Sequence, residues 1–105
     1  MERVCFTFHL HPGTEDEYRR RHEEIPRELV RAILESGFRN HTLFRRGLQV
    51  IAYAECHPDA DTAFAALAAR PESARWSESL ADVIVTLTDA EGRRIAFDEV
   101  WHLHE

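Results

Sequence analysis

The chain predicts an α+β fold of the ferredoxin-like βαββαβ order, an antiparallel sheet with two helices on one face, pairing with a second copy as a dimeric α+β barrel. Three observations predict it. Segments with strand-like alternation and segments with helical spacing follow one another in that order. A hairpin signal, Arg46-Gly47, falls between the second and third strands. The strands are apolar on both sides, Val50 and Ala52 against Ile51 and Tyr53, whereas a sheet with one wet face should be polar there. One helix layer covers one face, and a second sheet from a homodimer partner is the simplest cover for the other.

Arg3 to Leu10 places Val4, Phe6, Phe8 and Leu10 on one face and Cys5, Thr7 and His9 on the other, the pattern of a strand. His11-Pro12-Gly13 reads as a turn. A helix then runs from Thr14 to about Ser36, with Thr14 and Glu17 spaced as a capping box and Gly37 as its stop. Two strands follow, about Arg39–Arg45 and Leu48–Cys56. After His57-Pro58-Asp59 comes an alanine-rich helix, Asp61–Ala69, interrupted at Arg70-Pro71 and resuming near Glu72 with Trp76 and Leu80. Val83–Leu87 reads as a strand or as a helix end with a loop, Asp89-Ala90-Glu91-Gly92 as a turn, and Arg94–Leu103 as the final strand. Nothing divides the 105 residues, so residues 1–105 are expected to form one domain.

Composition narrows the function classes. With 44% hydrophobic residues, 30% charged residues and a formal net charge of -6, the chain lacks the basic excess of a nucleic-acid surface. Its local basic run, Arg19-Arg20-Arg21, is interleaved with acidic residues and reads as a solvated helix face. The N-terminus has no signal-peptide pattern and no apolar run reaches membrane-spanning length, so a cytoplasmic protein without membrane contact is expected. Cys5 and Cys56, without CxxC spacing, are expected to be reduced thiols.

The candidate for chemistry lies on the first helix. Tyr18 and His22 are four residues apart and share a face that continues through Ile25, Leu29, Ala32 and Ile33. That apolar stripe turns the phenol and the imidazole inward. Pro26 lacks the N–H that would bond the His22 carbonyl, so the helix ladder breaks beside the histidine. Taken alone, a histidine on an apolar helix face is more often a core or interface residue than a catalyst, and Trp76 alone more often belongs to a core.

Further residues carry a resemblance. Arg3 to Phe6, Glu17-Tyr18-Arg19-Arg20-Arg21-His22, Pro26-Arg27-Glu28-Leu29, Gly37 to Asn40, Arg75-Trp76, Asp82-Val83 and Glu99-Val100-Trp101 together resemble the L-rhamnose mutarotase family over nearly the whole chain. The resemblance implies a small homodimer with the barrel described above. It implies interconversion of the α and β anomers of a monosaccharide, L-rhamnose or a related aldose, without a cofactor. It also implies that His22 is the catalytic acid, that Tyr18 contacts the sugar, and that His41, Trp76 and Ser77 line the pocket. The family pattern has tyrosine where His41 stands and a second tryptophan where Ser77 stands, which places the identity of the sugar in question.

The implied reaction suits these side chains. Mutarotation requires a proton on the ring oxygen and removal of one from the anomeric hydroxyl, and histidine, with a pKa of about 6.5, is suited to both. Trp76 offers a flat face to the C–H side of a pyranose. For a second proton-transfer group, His41, Asp98, Glu99 and water are the candidates. Two rival readings remain. A dimeric barrel could instead serve as a small-molecule binding module or a cofactor-free monooxygenase, since such folds host many activities. The pairs His9/His11 and His102/His104 have a spacing that puts two imidazoles on one strand face, but no spacing matches a structural zinc motif, and no metal site is expected.

Overall fold

The computed structural model describes residues 1–86 and 88–104. The elements run β1 (Glu2–Leu10), α1 (Glu15–Glu23), α2 (Arg27–Glu35), β2 (Phe38–Arg46), β3 (Gln49–Cys56), α3 (Ala60–Ala68), α4 (Pro71–Ser79), β4 (Ile84–Thr86) and β5 (Ile95–Ala96). The sheet order is β2-β3-β1-β4, with β5 also on β1 and every pairing antiparallel. This is the expected ferredoxin-like order, with each of the two helical stretches broken in two.

The breaks follow from the two prolines. At Pro26 the first helix stops outright: Glu24 and Ile25 donate to the Arg20 and His22 carbonyls, and Pro26 turns extended before α2 begins. The carbonyl of His22 is therefore not left unpaired; it takes the Ile25 N–H instead. The apolar stripe survives the break, with Tyr18, Leu29 and Ala32 buried and His22, Ile25 and Ile33 half-buried. Pro71 starts α4, where its fixed φ and missing N–H cost nothing. The expected capping box does not form. The Thr14 hydroxyl donates to the His11 carbonyl at 2.7 Å, and Glu17 is drawn instead to Arg20 and Arg21.

The edge strand differs most from expectation. Val83–Leu87 yields β4 over Ile84–Thr86, Leu87 lying outside the described residues. The expected final strand over Arg94–Leu103 shortens to Ile95–Ala96. Both pieces pair with β1 along the same edge, β4 at His9 and Leu10 and β5 at Thr7 and Phe6. They are two ends of one edge strand, interrupted by an excursion whose Asp89 side chain accepts from the Glu91 and Arg93 amides. Beyond β5 the Phe97 amide still bonds the Cys5 carbonyl and Glu99 meets Arg3, so the segment keeps its alignment after the ladder ends.

Two buried clusters lie between the sheet and the helices. One gathers Phe8, Leu10, Tyr18, Val50, Ala52, Leu80 and Val83; the other gathers Phe38, Ala54, Cys56, Ala60 and Ala63. Cys5 and Cys56 are both free thiols; they lie on opposite faces of the sheet, since Cys56 pairs with Glu2 and Cys5 with Tyr53. Exposed apolar side chains gather elsewhere, at Phe44 on β2 and at Phe97, Val100, Trp101 and Leu103 along the final segment.

Candidate active site

A cleft of about 460 Å³ opens between α1, α4, β2 and the turn into β4. Tyr18, His22, His41, Trp76 and Ser77, the five residues the sequence marked, all line it. Its remaining wall is apolar, from Phe6, Phe8, Leu43, Leu80, Ile84 and Val85. Sequence reading did not single these six out as a wall, because taken one at a time they are ordinary apolar residues.

Helix α1 delivers the first two groups. Tyr18 is 6% exposed and packs edge-on to Phe8, with ring centroids 6.2 Å apart. Burial alone pushes its phenol well above the ordinary tyrosine range, so it stays protonated and can offer a hydrogen bond. One turn on, the His22 ring lies 4.4 Å from that of Tyr18, tilted by 45°, and meets Trp76 edge-to-face at 5.1 Å. His22 Nδ1 lies 2.8 Å from the Tyr18 carbonyl oxygen. A carbonyl only accepts, so Nδ1 carries the proton and Nε2 is the free nitrogen of the neutral ring. Burial lowers the His22 pKa; the bond to the carbonyl opposes the shift and the nearby His41 adds to it. The resting imidazole is thus neutral near pH 7. A neutral ring can accept a proton at Nε2 and can donate one there only after collecting it.

His41 reaches the same cleft through an irregularity in β2. Phe38 pairs with Cys56 and Arg39 with Glu55, but the next pairing is Thr42 with Tyr53, so β2 carries one extra residue. Asn40 absorbs it, with a positive φ of 51° and its side-chain amide bonded to Glu55 at 2.8 Å. This is a β-bulge, and it reverses the alternation of the strand. Phe38 and Leu43 are an odd number of residues apart, yet both pack on the helix side. His41 shares the parity of Leu43 and comes to line the cleft. Without the bulge it would share the parity opposite to Phe38 and point to the outer face. Its ring Nδ1 lies 3.1 Å from the Tyr53 carbonyl.

Helix α4 supplies Trp76, half-buried, and Ser77, exposed at the rim. Asp98 and Glu99 are not brought here. They line a separate cavity with Arg3, Cys5 and Tyr53, where the Arg3 guanidinium holds Glu99 at 2.5 Å and keeps its carboxyl below the usual range. Nor do the histidine pairs meet. β5 runs antiparallel to β1, so the chain after Ala96 passes the N-terminal end of β1, away from His9 and His11. Among the described residues no group of three or more His, Cys, Asp or Glu gathers as for a metal ion. A second cleft, about 480 Å³, lies beyond Trp76 and is lined by Arg20, Glu24, Glu28, Glu72 and Arg75. It holds neither imidazole nor phenol.

Comparison with known proteins gives one answer. The family model described as rhaM, L-rhamnose mutarotase, matches residues 3–103. An L-rhamnose mutarotase of Burkholderia cenocepacia is 35% identical over 103 residues, covering 98% of this chain and 99% of that protein. One from Opitutus terrae is 32% identical over 105 residues, with 98% and 99% covered. The crystal structure of an L-rhamnose mutarotase from Formosa agariphila superposes with a TM-score of 0.79 over 99% of this chain and 100% of that one. At 20% identity that likeness speaks to the fold.

Proposed function

The chain belongs to the L-rhamnose mutarotase family, and from that premise we propose that it is an aldose mutarotase interconverting the α and β anomers of L-rhamnose or a related aldose. The observation that carries this reading is the neutral, partly desolvated His22 standing between Tyr18 and Trp76 in a single cleft.

The chemistry closes with His22 as the one titrating group. Nε2 accepts the proton of the anomeric hydroxyl. The resulting oxyanion collapses to the aldehyde, the bond from the anomeric carbon to the ring oxygen breaks, and the imidazolium returns its proton to that oxygen. This donation is the acid role of His22. After rotation about the bond from the anomeric carbon to C2, the reverse sequence closes the ring on the other carbonyl face. No proton is gained or lost over the cycle, and no electron moves. Tyr18 donates a hydrogen bond to the sugar, and Trp76 with the apolar wall takes its C–H face. His41 and Ser77 contact hydroxyls at the rim.

The homodimer belongs to the same reading. Phe44 at 61% exposure and Trp101 at 74% lie on surface that a partner sheet would cover. The test is anomeric exchange by NMR saturation transfer across L-rhamnose, L-fucose, L-lyxose, D-glucose and D-ribose. Accelerated exchange that disappears in His22→Ala is the expected result. No acceleration with any sugar would favour a binding module of the same architecture.

A further inference from the structure

Of the three consecutive arginines on α1, two stay on their own helix. Arg19 pairs with Asp16 and Glu23, and Arg20 with Glu17 and Glu24. Arg21 does not. Its Nε bonds Glu17 at 2.6 Å, but its two terminal nitrogens leave the helix. Nη1 donates to the Ser79 carbonyl at 2.5 Å, and Nη1 and Nη2 grip the Asp82 carboxylate at 3.0 and 3.2 Å.

The two partners of Arg21 beyond α1 are joined to residues that line the cleft, although Arg21 and Ser79 themselves face the second cleft. Ser79 is the last residue of α4, and its hydroxyl donates to the Trp76 carbonyl at 2.7 Å. Asp82 stands in the turn between Ala81 and Ile84, both lining the cleft. Arg21 itself precedes His22. The last turn of α4 contains no basic residue of its own, so the cation that its carbonyl end favours arrives from a different helix. The main helix contact with α4 is made by α2 rather than α1. Among the described residues α1 meets the rest of the fold through Tyr18 in the core, His22 against Trp76, and Arg21 at the edge.

We propose that Arg21 is a positioning residue: its fork ties α1 to the end of α4 and to the Asp82 turn, and so sets the placement of His22 against Trp76. The inference rests on the reading of His22 as the proton-transfer group. A point charge would not serve equally, because a planar fork holds a carboxylate and a carbonyl in one geometry and an ammonium does not.

The test compares Arg21→Ala, Arg21→Lys and Asp82→Asn with the native protein, measuring exchange over a range of sugar concentrations and the His22 ring resonances by NMR. Displacement of a proton-transfer group by about 1 Å costs on the order of 10²-fold. We expect kcat in Arg21→Ala to fall at least about tenfold, with KM changed far less and the His22 ring resonances shifted as the ring current of Trp76 moves away. Arg21→Lys should fall between native and Arg21→Ala. Asp82→Asn, at an exposed carboxylate, keeps the test open if Arg21→Ala does not fold, and should lose kcat in the same direction by less. Unchanged kcat in a folded Arg21 variant, or unchanged His22 resonances, overturns the proposal. If the native protein exchanges no sugar, the reading of the site fails and the resonances alone decide the clamp.

Discussion

Replacing His22 tests the proposed chemistry at its centre, and two substitutions separate its roles. His22→Ala removes the ring and with it the contacts to Tyr18 at 4.4 Å and Trp76 at 5.1 Å. Because the ring is only half-buried at an open cleft, the stability cost should be about 1 kcal/mol, too little to unfold the domain. His22→Asn can keep a donor toward the Tyr18 carbonyl, where Nδ1 sits at 2.8 Å, but takes up no proton. General acid–base help is worth roughly 10²- to 10⁴-fold. Both variants should therefore lose exchange by about 10³-fold while still binding sugar. An Asn variant retaining native rates would remove His22 from the chemistry.

The pH profile supplies the sign. Burial places the His22 pKa below 6.5, with Tyr18 on its own helix, His41 from β2 and Trp76 from α4 as the ring's neighbours. If the neutral ring enters the reaction, kcat/KM is flat above that pKa and falls tenfold per unit below it. A rate that instead falls as pH rises through the pKa would show that the imidazolium enters first, and would refute the order of steps. Stability follows the same group. A folded pKa below the unfolded 6.5 means that the unfolded chain binds more protons between the two values. The neutral ring therefore contributes stability above pH 6.5 that is lost as pH falls through the folded pKa. Denaturant titrations should show that slope in the native protein and lose it in His22→Ala.

Other outcomes follow from single positions. Gly37 has φ +108°, and a Cβ there would fall on the His57 carbonyl oxygen, whose residue is already tied to Gly37 through its amide; Gly37→Ala should cost about 3 kcal/mol or more by chemical denaturation. If the chain forms the proposed homodimer, Trp101→Lys should shift its sedimentation toward monomer, and an unchanged dimer would remove the final segment from the interface. His41→Tyr with Ser77→Trp should raise the preference for L-rhamnose over other aldoses in the exchange assay, and an unmoved preference would mean that the rim does not select the sugar.

Much of the fold was legible in the sequence because it rests on local chemistry: alternation in β1 and β3, a glycine at the hairpin, Pro71 at the break before α4; the single helix expected from Thr14 to Ser36 instead parts at Pro26 into α1 and α2. Gly47 and Leu48 form the two-residue turn, with Arg46 paired to Gln49. Those site residues that share a helix face were legible for the same reason, since Tyr18 and His22 need only the helical repeat to meet. Non-local features were not. The shortening of the last strand depends on how many residues leave the sheet edge between Thr86 and Ile95, and the Asp89 turn could be read without showing that it interrupts one edge rather than joins two strands. The capping box failed because Glu17 had two arginine partners available, and charge-assisted bonds to those outcompete a back-bond to the helix start.

The bulge at Asn40 connects the fold to the proposed activity most directly. A regular β2 obeying strict alternation would bury Phe38 and leave His41 outside, or hold His41 inside and expose Phe38. The core needs Phe38, which is 3% exposed and packs on Phe64 at 5.0 Å, and the cleft needs the residue three positions later. One extra residue reconciles the two demands. Asparagine is among the few side chains that accept a positive φ at low cost, so its presence between Phe38 and His41 is the only local trace of the device. The place where the strand departs from its period is also where it turns from core to cleft. A β-branched residue at Asn40 should therefore be felt twice, once as backbone strain of about 1–2 kcal/mol and once as displacement of His41 from the cleft it lines.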